Sequence, residues 1–167
     1  MPAKAYNRGM RNYNALERDA LNFLREHATA VLATCYEGKP HATTIYYDVA
    51  PDFTFYYLTK RNTQKTIHAA FNPQVALVVG TGPEKITVQA SGLAEMLDGQ
   101  EKVDALVRMK ARLSHENIES APIENMNDLR KEYMMAYRIR PTELVFMNMD
   151  CKRYPASISR NYHRIIG

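Results

Sequence analysis

Strands in this chain arrive in pairs joined by short turns, and that ordering restricts the fold more than any other feature of the sequence. Ala30–Tyr36 is an apolar, β-prone run, Glu37-Gly38-Lys39-Pro40 has turn chemistry, and His41–Val49 returns. Gly and Pro between such runs mark a hairpin. Pro51-Asp52 turns the chain into a third run, Phe53–Thr59, and a helix-spaced segment over residues 63–71 leads to a fourth, Val75–Val79. Gly80-Thr81-Gly82-Pro83 reads as a turn into a long strand, Lys85–Met96, where Gly92 predicts a bulge or sharp bend. Met135–Arg140 and Glu143–Met149 read as two closing strands around Pro141. Hairpins in series, with helices between the later strands, favour an antiparallel barrel with attached helices over a doubly wound parallel sheet.

The helices carry their own signals. Asn14 with Glu17 forms a capping-box pattern, followed by an apolar stripe of Leu16, Ala20, Phe23 and Leu24. In the 63–71 helix, Ile67, Ala70 and Phe71 share a face, and Asn72-Pro73 ends it. Asp98 and Glu101 open a third helix with Val103, Leu106, Val107, Lys110 and Leu113 at helical spacing. Residues 114–125 read as a loop and 126–134 as a shorter helix. Residues 1–12 form a polar arm, and 152–167 a basic, tyrosine-containing tail without a strong period. The whole, residues 1–167, is expected to be a single domain.

Composition excludes several classes. An apolar content of 46% is that of a globular protein rather than a disordered one. The net charge of +4 is too mild to mark a nucleic-acid binder, and no reader motif accompanies the basic tail. The first twenty residues lack an apolar signal core and no run approaches ~18 apolar residues, so the expectation is a cytoplasmic protein without a membrane partner. Cys35 and Cys151 lack CxxC spacing. Cys35 is expected to be a buried, reduced core residue, and Cys151 a free thiol.

Chemistry concentrates where the third strand ends. Phe55, Tyr56, Tyr57 and Leu58 run into Thr59, and then Lys60, Arg61, Asn62, Thr63, Gln64 and Lys65 form a polar, basic corner at a helix start. Ammonium groups, a hydroxyl and free helix-start N–H groups in one corner suit an anion, most plausibly a phosphate; a solvated charged turn is the alternative. On the second strand Thr43 and Thr44 are polar where a core strand should be apolar, either to bond a ligand's edge or as β-formers on a half-exposed strand. Gln89, on the fifth strand, offers both donor and acceptor to a heterocycle, or faces solvent.

Taken together, LATCYEGKPHATTIYY, FYYLTKRNTQKTIHAAFNPQVALVV and ITVQASGLAEML resemble the pyridoxamine 5'-phosphate oxidase-like superfamily of FMN-binding split β-barrels. The match runs from about Leu24 to Leu97. The resemblance implies an α+β fold, mainly β: a six-stranded antiparallel split β-barrel with peripheral helices. Thr63-Gln64-Lys65 falls where such proteins often carry Ser-Arg-Lys for the FMN phosphate, with Gln64 in place of Arg. Thr43, Thr44, Ile45 and Tyr46 on one strand, and Tyr57, Leu58 and Thr59 on the next, would line the flavin; Lys60 would support the phosphate and Gln89 the isoalloxazine edge. The resemblance further implies a homodimer with flavin sites at the interface, where Tyr154, Arg160 and Arg164 are candidates to complete the partner's site.

The chain departs from the vitamin B6 oxidases themselves. It has no tryptophan, and it lacks their C-terminal tryptophan-containing and Arg-Leu-His stretches. The expectation is therefore an FMN-dependent oxidoreductase of unassigned substrate, using the flavin for hydride or electron transfer, with no catalytic side chain of its own. A haem-binding or haem-utilisation protein on the same fold, a non-catalytic flavin binder, and a deazaflavin in place of FMN are the alternatives. Gly80-Thr81-Gly82 precedes Pro83 and a strand, so it is a hairpin turn and not a dinucleotide loop. The five histidines lack metal-ligand spacing, and His68 reads as packed or solvated.

Overall fold

A computed structural model describes residues 14–80, 85–115, 134–150, 152–155 and 162–167. Its elements are α1 (Ala15–Glu26), β1 (Thr29–Tyr36), β2 (Lys39–Val49), β3 (Phe55–Lys60), α2 (Gln64–Phe71), β4 (Gln74–Val79), β5 (Ile86–Leu97), α3 (Gly99–His115), β6 (Met134–Asn148) and β7 (Tyr162–Ile166). The sheet order is β3-β2-β1-β4-β5-β6-β7, and β3 also pairs with β6. That last pairing closes six antiparallel strands into a barrel, as the hairpin order predicts, and leaves β7 on its flank. Closure leaves the six strands without an open edge and turns alternate side chains inward.

Register fixes which residues fill the interior. Leu32 lies opposite Leu77, Leu77 opposite Ala90, Ala90 opposite Leu144, Val49 opposite Phe55 and Phe55 opposite Ile139. All are buried in one core with Phe23 and Leu24 of α1, which plugs the barrel from one side. The capping box of α1 is complete: the Glu17 backbone N–H donates to Asn14 Oδ1, and the Asn14 N–H donates to Glu17 Oε2, both at 2.9 Å.

Gly92 sits at the bulge that the sequence predicts, where the β5–β6 register shifts between Ser91 and Gly92. The two closing strands are one: β6 passes through Pro141 without a break, because Gly92 opposite takes up the irregularity. The C-terminal segment also differs from the sequence reading. Tyr162–Ile166 pairs with β6, and Tyr154 packs edge-on against Phe23 and Phe146. Five residues are too short to show a period, so the strand was invisible in sequence. The expected arm at 1–12 and loop and helix at 114–134 fall mostly outside the described residues; within them, α3 runs on to His115 and Met134 opens β6.

Both later helices sit rotated from their apolar readings. α3 buries Ala105, Leu106, Met109 and Leu113 against β2, β3 and β6, and leaves Val103 and Val107 about half exposed. α2 buries Thr66, His68 and Ala69, whereas Ile67 and Phe71 face outward. The reason at α2 is local. The end of the barrel beneath it is polar, built from Thr34 and His41, and a polar face docks there better than an apolar one.

Candidate functional site

The corner between β3 and α2 is shaped by its backbone. Asn62 adopts a left-handed conformation (φ 62°), which folds Lys60–Thr63 into a tight turn. Asn tolerates that region better than most side chains. Thr63 is the N-cap residue of α2, but its side chain makes no capping bond. Its hydroxyl lies 3.3 Å from Thr59 Oγ1 and donates to Thr66 Oγ1 at 3.4 Å, while Thr66 Oγ1 donates to the Thr63 carbonyl at 2.8 Å. Three threonines therefore lock the turn from within. The N–H groups of Gln64 and Lys65, in the first turn, are capped by no side chain, and the helix dipole makes that end attractive to an anion.

Lys65 stands beside those N–H groups, half-buried, and burial lowers its pKa from the ordinary lysine value. Desolvation disfavours its charge in the ligand-free protein; an anion at the corner would reverse that. Lys60 is exposed at the end of β3. Two uncapped N–H groups and two ammoniums are the donor set that a phosphate monoester takes.

Gln64 does not reach forward over the helix start. Its amide Nε2 donates to Nε2 of His68, one turn on, at 2.9 Å. The other ring nitrogen of His68, Nδ1, lies 3.1 Å from Thr34 Oγ1. Both Thr34 and His68 are buried, and the rings of Tyr36 and His41 flank His68 at 6.1 Å. This relay was missed in the sequence, as was Thr66; the one signal for it was a histidine four residues after a glutamine on a helix.

The remaining expected residues divide by the pleat. Ile45 and Tyr57 point into the barrel and are buried in its core, as is Thr59 at its end; Thr43 shares that inward side and is half-buried. Tyr46 and Leu58 point outward but lie under Met109 and Leu113 of α3. Ile45 and Tyr57 thus sit in the core, while Tyr46 and Leu58 are half-buried against α3. Thr44 is outward and exposed. Gln89 is also outward and exposed, with its amide donating to Thr87 Oγ1 at 3.4 Å, but it lies three strands from β2 by way of β1 and β4. Through the barrel closure β5 also lies beside β6, which pairs with β3, so Gln89 is two strands from the strand that ends in the corner. Tyr154 is packed in its own chain, its hydroxyl donating to Glu26 Oε2 at 3.0 Å, which corrects its reading as a group offered to a partner. Arg164 is exposed and paired with Glu143 at 2.8 Å, and Arg160 is outside the described residues.

A second feature adjoins the far end of α2. A groove of about 580 Å³ on the outside of β1, β4 and β5 is lined by Cys35, Asn72, Gln74, Ser91, Leu93 and Thr142 among others. Cys35 is a free, half-buried thiol at its wall, and not the core residue expected from its apolar strand. It occupies an outward position of β1, where the pleat and not the composition decides burial.

Residues 16–146 match the family model described as pyridoxamine 5'-phosphate oxidase, and the chain belongs to that family. A curated relative, pyridoxine/pyridoxamine 5'-phosphate oxidase of Anaplasma marginale, is 32% identical over 103 residues, 61% of this chain and 47% of the relative. The chain thus spans about half the length of that relative. Among solved structures, an FAD-binding protein from Mesorhizobium loti superposes with a TM-score of 0.59 at 22% identity, covering 80% of this chain and 94% of the other. A heme binding protein from Mycobacterium smegmatis superposes with a TM-score of 0.65 at 14% identity, covering 88% and 62%. At these identities the superpositions establish the fold alone. Among the described residues, no helix is long and apolar enough to cross a membrane.

Proposed function

We propose that the chain is an FMN-binding oxidoreductase that works as a homodimer in the cytoplasm, with the flavin phosphate held at the start of α2. The observation that carries this is the uncapped first turn of α2 with Lys65 beside it, in the stretch where the family resemblance expects the phosphate. The Gln64 and Lys65 N–H groups, the Lys65 ammonium and Lys60 bind the phosphate; the threonine lock of Thr59, Thr63 and Thr66 holds their geometry. When bound, the flavin supplies the hydride or electron chemistry at N5, and the protein positions it.

The dimer is supported by what α3 leaves bare. That helix covers the outer face of β2, β3 and β6, while the outward positions on β1, β4 and the start of β2 carry Val31, Ala33, Ala42, Thr44, Ala76 and Val78, all exposed or half-buried. Small and apolar side chains on this sheet face suit a second copy.

For haem, buried His68 is not a free axial ligand, because both its ring nitrogens are engaged by Thr34 and Gln64. The visible spectrum of the purified protein, before and after FMN and then haem, separates the readings. Flavin bands that shift on binding support the proposal. A Soret shift with no response to FMN favours the haem reading. A deazaflavin is tested in the same cuvette, and reduction by NADH or NADPH separates an oxidoreductase from a flavin binder that turns nothing over.

A further inference from the structure

The outer face of α3 carries a second apolar row. Ala105, Met109 and Leu113, four residues apart, form the row buried against the barrel. Val103, Val107 and Ala111 repeat that spacing two positions earlier, about 200° around the helix, and all three are exposed. A helix that covers a barrel on one face ordinarily turns polar and charged residues outward on the other. We infer that this outer row pairs with the same row of a second copy, α3 antiparallel to α3, with the two-fold axis at Val107. The contact is apart from the sheet face of β1 and β4 proposed above for the homodimer, and it does not depend on that dimer.

Charge complementarity selects both the partner and the direction. Asp104 and Lys110 flank Val107, three residues to either side, and both are exposed. Asp104 accepts from Gln100 Nε2 at 2.8 Å, and neither Asp104 nor Lys110 is in an ion pair among the described residues. Glu101, Arg108 and Arg112 are turned to their own chain, bonding Arg138, Asp48 and the His27 carbonyl. In a two-fold contact, a residue that meets a second is met by it in return. About Val107, the antiparallel arrangement sets Val107 on Val107, Val103 near Ala111 and Gln100 near Ser114. It also sets Asp104 of each copy level with Lys110 of the other. At the shallow crossing angle of ~20° common in helix pairs, a lysine side chain spans that seam. Two opposite-charge pairs thus bracket a small apolar centre. The parallel arrangement would oppose Asp104 to Asp104 and Lys110 to Lys110, so it is repulsive at both levels. One helix face falls well short of the ~1,200 Å² that a stable interface buries in total, so the association is weak and concentration-dependent.

The test is the mass of the full chain by sedimentation velocity, from low micromolar to near millimolar concentration, with a melting temperature recorded on each sample. Val107→Glu sets two carboxylates on the axis and is expected to hold its low-concentration mass throughout. Wild-type protein at the highest concentration is expected to reach at least twice the mass of that variant. Asp104→Lys and Lys110→Asp each bring like charges together twice, and each is expected to weaken self-association ~10-fold. The double variant, Asp104→Lys with Lys110→Asp, restores both pairs with their signs exchanged and is expected to associate within about threefold of wild type. Wild type and Val107→Glu that are equal in mass at every concentration overturn the inference. If Val107→Glu then melts lower than wild type, the chain covers this row itself; if both grow in mass together, the contact lies on another surface. A double variant that associates no better than the single ones overturns the antiparallel pairing.

Discussion

Tyr57 lies nearly parallel to Tyr137 across the β3–β6 pair, with ring centroids 5.2 Å apart, and its buried hydroxyl has no hydrogen-bond partner among the described residues. Burial, and secondarily Tyr137, push the Tyr57 phenol far above its ordinary value, so it stays protonated. An unmade hydrogen bond of this kind costs about 1–3 kcal/mol. Tyr57→Phe is therefore expected to be neutral or to gain about 1 kcal/mol, raising Tm by roughly 2–4 °C. The sign in alkali also follows. Above pH ~10 the unfolded chain loses this proton while the fold keeps it, so stability falls as pH rises. Thermal melts at neutral and alkaline pH check both: Tyr57→Phe should show a shallower alkaline loss, and a loss of several degrees at neutral pH would contradict the account.

Lys65 poses the opposite trade. Its pKa is lowered by burial, so between its folded value and the ordinary lysine value the unfolded chain binds more protons, and stability rises with pH. At neutral pH the charged ammonium is a cost to the apo-fold. Lys65→Met should raise the apo Tm while weakening FMN. A variant that melts lower than wild type without ligand would show that Lys65 has a structural role not described above.

Gly92 admits no side chain. A Cβ there would stand 2.4 Å from the Arg140 carbonyl oxygen, which belongs to the backbone across the bulge. Since both partners are main chain, the barrel must open locally to accept one. Gly92→Ala is expected to cost about 2–3 kcal/mol in urea unfolding, the upper part of the range for overpacking. A cost under ~0.5 kcal/mol would mean the bulge relaxes freely.

Arg108 ties α3 to β2. Its Nε and Nη2 donate to Asp48 Oδ2 at 2.9 and 2.5 Å, and its guanidinium lies 4.8 Å from the Tyr56 ring centroid. The pair is partly exposed, so screening limits its worth to about 1 kcal/mol. A double-mutant cycle of Asp48→Asn with Arg108→Lys should return a coupling near that value and shrink in high salt. No coupling would mean that this pair does not help to hold α3.

How much of this was legible in the sequence depended on what each residue answers to. The hairpin order, the Asn14–Glu17 cap and the Gly92 bulge are local signals, and each appears in the fold as read. Failures came where burial is decided by a distant element. Phe71 looked like core on α2, yet it stacks on Tyr36 at 4.6 Å with most of its surface exposed, because the barrel end below accepts His68 instead. Tyr46 and Leu58 also pack against Met109 and Leu113 of α3, more than fifty positions on, a contact that no local pattern announces. The basic corner was readable because charge, hydroxyl and helix start are adjacent in sequence. The Gln64–His68–Thr34 relay was not, since Thr34 enters from a strand thirty-four residues away from His68.

The most direct measurement is a fluorescence titration of FMN and of riboflavin against wild-type protein and Lys65→Ala. Loss of one charge-assisted bond is worth roughly 1.5–3 kcal/mol, or about 10- to 100-fold in Kd. The account predicts saturable quenching of FMN by the wild type, weaker by that factor in Lys65→Ala, with riboflavin equally weak for both. FMN left unchanged by wild-type protein, or bound as tightly by Lys65→Ala, would contradict it.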